Sequence, residues 1–178
     1  MRSSKSGKKV TIVIPNYNGL KFMKPCFQAL ELQICRNFDI LVVDNGSTDG
    51  SVEWLKEQRI PSVFLETNTG FSGAVNRGIK AAATPYVILL NNDTEPDCHY
   101  VGEMLKAIER SPKIFSVSSK MIQLCHKDKM DDAGDMYSLL GWAYQRGWEG
   151  PPRCTTTPAG FFQPVQARLS TGNRFLRR

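Results

Sequence analysis

At 178 residues, with 41% hydrophobic and 22% charged side chains, the chain has the composition of one soluble globular domain and not of a disordered or fibrous protein. No apolar run approaches the ~20 residues of a membrane span, and Met1-Arg2-Ser3-Ser4-Lys5-Ser6-Gly7-Lys8-Lys9 lacks the apolar segment of a secretory signal, so a cytoplasmic protein is expected. The formal charge of +6 is carried by the ends: residues 1–10 hold four bases and 151–178 hold five, with no acid in either, leaving 17 acids against 14 bases between them.

That distribution argues against nucleic-acid binding, because no basic stripe with interleaved aromatics crosses the middle of the chain. The basic ends are read as solvated, with peripheral contact to anionic lipid at the inner face of the membrane as the alternative. Cys26, Cys35, Cys98, Cys125 and Cys154 are scattered and form no Cys-x-x-Cys pair, which indicates neither a disulfide framework nor a zinc site.

After a flexible basic segment over 1–9, Val10-Thr11-Ile12-Val13-Ile14 is a β-branched run closed by Pro15, and Asn16-Tyr17-Asn18-Gly19 is turn chemistry. Neither a G-x-G-x-x-G nor a P-loop pattern follows, which disfavours dinucleotide and kinase-type sites. From Met23 to Gln33, Cys26, Phe27, Leu30 and Ile34 fall on one helical face, with Pro25 in the first turn. Asp39-Ile40-Leu41-Val42-Val43-Asp44 is a buried strand ending in a carboxylate, and Ser47, Thr48 or Asp49 can cap the helix that follows.

A third short strand is expected over Pro61 to Leu65, then a loop, Thr67-Asn68-Thr69-Gly70-Phe71-Ser72-Gly73, into a helix from Ala74 to Ala83 with Asn76 on its first turn. Pro85-Tyr86-Val87-Ile88-Leu89-Leu90 reads as a strand covered on both faces, and it stops at Asn91-Asn92-Asp93-Thr94-Glu95. His99 to Arg110 is an amphipathic helix with Val101, Met104, Leu105 and Ile108 inward and His99 solvated. Further strands are expected over Phe115 to Gln123 and near Met136.

Strand, loop and helix recurring in this order imply an α/β fold, a three-layer α/β/α sandwich with a mostly parallel sheet. Ligands bind such sheets beyond the carboxyl ends of the strands, where Asp44 and Asp93 both lie. Asp44 can accept the imide or amide hydrogen of a nucleobase, and Asp93 can hold Mg²⁺ or Mn²⁺ whose other positions go to water and phosphate oxygens. A turn with a helix cap is the bland reading of the cluster at Asp93.

Four stretches carry a resemblance: Ile12-Val13-Ile14-Pro15-Asn16-Tyr17-Asn18, Val42-Val43-Asp44-Asn45-Gly46-Ser47-Thr48-Asp49-Gly50-Ser51, Asn68-Thr69-Gly70-Phe71-Ser72-Gly73-Ala74-Val75-Asn76-Arg77-Gly78 and Leu89-Leu90-Asn91-Asn92-Asp93. In this order at strand ends they resemble the family 2 glycosyltransferases, particularly the rhamnosyltransferase-like branch. The resemblance covers residues 10–147 and implies a GT-A donor-binding domain. It implies inverting transfer from a nucleotide-diphosphate sugar to a glycan or lipid-linked acceptor, assisted by Mn²⁺ or Mg²⁺. It further implies a nucleotide site of Pro15, Tyr17, Asn18, Asp44, Gly46, Asn76 and Asn92, and a metal at Asp93, which alone keeps an acid where the family carries Asp-x-Asp.

The base that family places in a later Glu-Asp stretch has no counterpart, since no Asp or Glu follows Glu149. Asp128, Asp131, Asp132 and Asp135 are read as solvated, with Asp131 or Asp132 as a substitute base the alternative. Residues 148–178, rich in Pro, Thr and Arg, are expected to be a disordered or out-of-frame tail of a truncated longer enzyme. Two alternatives stand beside the transferase: a sugar-nucleotide-binding module without turnover, and a sugar nucleotidyltransferase. The latter would need a Gly- and Arg/Lys-rich loop after the first strand.

Overall fold

A computed structural model describes residues 7–124, 126, 128–132, 135–137, 143–145 and 166–168. The chain divides into two compact units, one of Met1–Glu103 with Gln166–Arg178 and one of Met104–Val165.

The first unit is built on a five-stranded sheet whose strands lie in the order 62–64, 38–44, 10–16, 86–89 and 166–168. Its elements are β1 Val10–Asn16, α1 Leu20–Glu31, β2 Phe38–Asp44, α2 Ser51–Glu57, β3 Ser62–Phe64, α3 Gly70–Ala81 and β4 Tyr86–Leu89. β1 to β4 run parallel, as the recurring strand-loop-helix pattern requires, and Gln166–Arg168 adds β9 antiparallel to β4. β9 is the part of the 148–178 segment that lies within the described residues, and it pairs with β4 at the edge of the sheet; the rest of the expected tail lies outside them.

The strands alternate in the way a sheet covered on both faces demands. Val13, Val43 and Val87 form one buried cluster with Ala74 of α3, and Val63, Leu65, Ile79, Ala82 and Leu89 pack against it. Ile12, Ile14, Val42 and Ile88 fall on the opposite face by period and register, and all are buried. Right-handed crossovers place α1 and α2 over that face, opposite α3. The Phe27 and Trp54 rings meet edge to face there, 5.5 Å between centroids, joining α1 to α2.

Three boundaries differ from expectation. α1 begins at Leu20, not Met23, because Asp49 Oδ2 in the next loop accepts the Leu20 amide at 2.9 Å. Pro25 therefore lies inside the helix, and Ile34, expected on its buried face, falls beyond its end and is 65% exposed. α3 begins at Gly70, where φ of +75° turns the chain into the helix, so Asn76 stands a turn deeper than its positive end.

α4, Tyr100–Glu109, crosses the unit boundary, and Val101, Met104, Leu105 and Ile108 are buried as their spacing predicts. The second unit contains two short hairpins, β5 Met121–Ile122 with β6 Met130–Asp132 and β7 Asp135–Tyr137 with β8 Ala143–Gln145. The strand expected over Phe115 to Gln123 is reduced to β5, since Ser116, Ser118, Ser119 and Lys120 interrupt its apolar run.

Gly78 measures how closely α3 lies on the sheet. A Cβ there would overlap the Val13 side chain and come within 3.0 Å of Val43 Cγ2. Ala would add about 1 kcal/mol of helix propensity, but both neighbours are stiff at χ1 and overpacking costs about 1–3 kcal/mol. Gly78→Ala should therefore lower stability by up to about 2 kcal/mol, read as a fall in the urea midpoint at unchanged m-value.

Candidate functional site

β1, β2 and β4 end side by side, and the side chains there are joined by hydrogen bonds rather than by ion pairs. Asp44, the last residue of β2, has no exposed surface. Its Oδ2 accepts from Asn16 Nδ2 at 2.8 Å and its Oδ1 from the Ser47 amide at 2.9 Å. Asn16, the last residue of β1 and itself buried, accepts on Oδ1 from Asn92 Nδ2 at 2.7 Å. Ser47 Oγ accepts from Asn16 Nδ2 at 3.2 Å and from the Asn18 amide at 2.9 Å, while Asn18 Oδ1 accepts from the Thr48 amide at 2.8 Å. Asn18 adopts φ of +51°, a left-handed conformation that Asn tolerates.

A second knot of amides holds the loop before α3. Buried Asn45 donates to Asn68 Oδ1 at 2.9 Å and to the Gly70 carbonyl at 3.1 Å, and its Oδ1 accepts from the Thr69 amide and hydroxyl at 2.9 and 3.0 Å. Gly46, at φ of +81°, lets the two loops approach, since a Cβ there would stand 3.1 Å from the Thr67 carbonyl carbon.

The structure thus brings Asp44, Asn18 and Asn92 into one network, with Pro15 and Tyr17 flanking Asn16 on the same strand end. Tyr17 is 52% exposed and Pro15 half-buried, which leaves the ring of Tyr17 accessible to a ligand. Among the described residues, Asn76 makes no side-chain hydrogen bond to this network.

Asp93 is exposed in the turn after β4, and among the described residues its carboxylate has no hydrogen-bond or ion-pair partner. An exposed carboxylate that follows the Asn92 amide in sequence is a donor type for a hard cation, so the residues fit Mg²⁺ or Mn²⁺. Beneath that turn, Cys26 donates weakly to the Asn91 carbonyl at 3.9 Å, and burial pushes its thiol up to about 12, with the Asp93 and Glu95 charges adding to the rise. A thiol so raised is packing and not a nucleophile.

The described group whose ligand atoms cluster is elsewhere: Asp97, Cys98 and His99, within 4.8 Å of one another. Asp97 Oδ1 accepts the His99 amide at 2.9 Å in a turn leading into α4, and chiefly that bond, then the His99 ring, holds its carboxyl below the usual range. Thiol and imidazole suit softer metals than a diphosphate-bound cation. Partial burial raises the Asp49 carboxyl, but the Ser51 hydroxyl and the Leu20 and Ser51 amides outweigh it and hold it low.

Sequence reasoning missed Asn16 and Asn45 as working residues. The available signal was periodicity: Asn16 shares a strand face with Ile12 and Ile14, so its side chain had to be buried and therefore bonded.

The sequence model described as glycosyl transferase family 2 matches residues 11–163. The chain belongs to that family. An uncharacterized glycosyltransferase of Rickettsia felis is 35% identical over 118 residues, 62% of this chain and 19% of that protein. The chain therefore spans about a fifth of that relative's length.

Among solved structures, S. aureus TarS 1–349 in complex with UDP-GlcNAc aligns with a TM-score of 0.58 at 23% identity, over 64% of this chain and 34% of that one. The mannosyltransferase PcManGT from Pyrobaculum calidifontis, in complex with GDP-Man and Mn²⁺, aligns with a TM-score of 0.60 at 20% identity, over 66% and 36%. The likeness is one of fold: this family 2 chain has the parallel GT-A sheet with alternating helices.

If Asn45 pins the loop before α3, Asn45→Ala should release it. We expect faster amide exchange at Thr69 and Gly70 and a loss of about 1–3 kcal/mol in stability for buried partners left unsatisfied, while exchange in β1 and β4 stays at its wild-type rate.

Proposed function

We propose that this family 2 chain binds a nucleotide-diphosphate sugar at the ends of β1, β2 and β4 and provides the donor half of an inverting, metal-assisted glycosyltransferase. The observation that carries the reading is the exposed Asp93 carboxylate one residue beyond Asn92, which is tied through Asn16 to Asp44. Pro15 and Tyr17 would border the nucleoside, with Asn18 and Gly46 in the adjoining loops and Asn76 on α3 toward the donor. Asp44 has no exposed surface, so it would reach the base by exchanging the Ser47 amide on Oδ1 for an N–H of the base.

Asp93, with Asn92 beside it, would hold Mn²⁺ or Mg²⁺. Bound there, the cation supplies Lewis-acid neutralisation of the leaving diphosphate. The protein's share is to hold the loops in place before substrate arrives, so that little ordering is left to the binding step. The TarS and PcManGT complexes, with UDP-GlcNAc and with GDP-Man and Mn²⁺, support a nucleotide-sugar donor and a divalent ion.

The acceptor is proposed to be a glycan or lipid-linked saccharide of cell-wall or polysaccharide synthesis, in keeping with a teichoic acid polymerase of Staphylococcus epidermidis that is 29% identical over 93 residues. A cytoplasmic place, with peripheral contact to the inner face of the membrane through the basic ends, is proposed with it; separately, no described helix is long and apolar enough to cross a membrane. A second reading, a sugar-nucleotide-binding module without turnover, is favoured by Asn91 and Asn92 standing where the resemblance places acids.

Thermal unfolding with a panel of nucleotide sugars, in Mn²⁺ and in EDTA, tests the site. At least one donor should raise Tm more with Mn²⁺ than with EDTA, and Asp93→Asn should abolish the difference without lowering Tm of the free protein. Equal shifts with and without metal in the wild type would remove Asp93 from the site.

A further inference from the structure

The amide orientations in the strand-end network are not independent. Asp44, buried and already taking the Ser47 amide on Oδ1, presents only an acceptor to Asn16, so Asn16 must turn its NH₂ toward Asp44 at 2.8 Å. That leaves the Asn16 carbonyl facing Asn92, which must answer with its own NH₂ at 2.7 Å. Asn92 Oδ1 is thereby kept out of the network, and among the described residues no donor engages it. The relay passes directly over Gly19, where a Cβ would collide with Asn92 Nδ2 and stand 2.7 Å from Asn16 Oδ1.

We infer that Asn16 is a positioning residue for the cation: through it Asp44 fixes the Asn92 amide so that a carbonyl oxygen, not an NH₂, is offered next to Asp93. An unrestrained asparagine could present either end, and the NH₂ end repels a cation. With its orientation set, Asn92 supplies a neutral oxygen in place of a second acid, and the base-side and metal-side loops respond as one unit. The inference rests on the donor-site reading above.

The test measures Kd of the full 178-residue chain for UDP and for GDP, each in Mn²⁺ and in EDTA. The quantity read is the ratio of the two constants for the tighter nucleotide. Asn92→Ala should cut that ratio by about tenfold, the usual weight of a bond to a charged group. Asn16→Ala should cut it similarly, weakening binding more in Mn²⁺ than in EDTA, and the double variant should lose no more of the ratio than either single one.

Gly19→Ala drives a methyl against Asn92 Nδ2 and Asn16 Oδ1, with no Asp44 atom among its nearest neighbours, and should reproduce the loss. It also decides the matter if Asn16→Ala fails to fold. A wild type that binds neither nucleotide, or binds without metal effect, would end the donor-site reading and this inference with it. A metal-dependent wild type whose ratio survives Asn92→Ala or Gly19→Ala would overturn the inference alone. So would an Asn16→Ala variant that weakens binding equally in Mn²⁺ and EDTA, which is what a merely structural role gives.

Discussion

The hydrogen bond between Asn16 and Asp44, 2.8 Å long and buried, is the constraint on which the strand-end region depends. A carboxylate without exposed surface is tolerable only where every approach to it is a donor. Asp44 meets that demand with the Ser47 amide and the Asn16 side chain, and each of these in turn commits another loop. Ser47 gathers Asn18, Asn16 gathers Asn92, and the three strand ends become one object.

The scaffold beneath makes that possible. β1 lies between β2 and β4 with Asn16 in register with Asp44, so the two polar residues share the face on which Ile12, Ile14 and Val42 are buried. The apolar rows below exclude water and strengthen each bond above them. α3 fits on the other face because Gly78 has no Cβ, which keeps the chain leading from the Asn45 knot close to the sheet. Polar loops on a rigid parallel sheet are the common way such folds carry ligand chemistry.

The network is made of amides and one buried acid, and its charge is correspondingly low. Where the resemblance led one to look for paired acids, this chain has Asn91 and Asn92 before Asp93. Neutral oxygens keep a hard-cation site usable while reducing its charge, so more of the neutralisation of a bound ion would fall to the diphosphate itself. Asp49 shows the same economy of charge in another role, since one carboxylate caps α1 and opens α2.

By itself the sequence determined the α/β class, the parallel strands β1 to β4, the buried face of α4 and the placement of Asp44 and Asp93 at strand ends. These follow from periodicity and turn chemistry, which act between neighbours. It did not determine that α1 starts at Leu20, since the cap comes from Asp49, or that α3 starts at Gly70, since Asn45 shapes that loop. Ile34 fitted a helical face but lies past the end of α1, a matter of where the helix stops. The roles of Asn16 and Asn45 were hidden for the same reason. Asn16 finds its partners 28 and 76 positions away, and only the strand order that sets β1 between β2 and β4 brings those side chains within bonding distance.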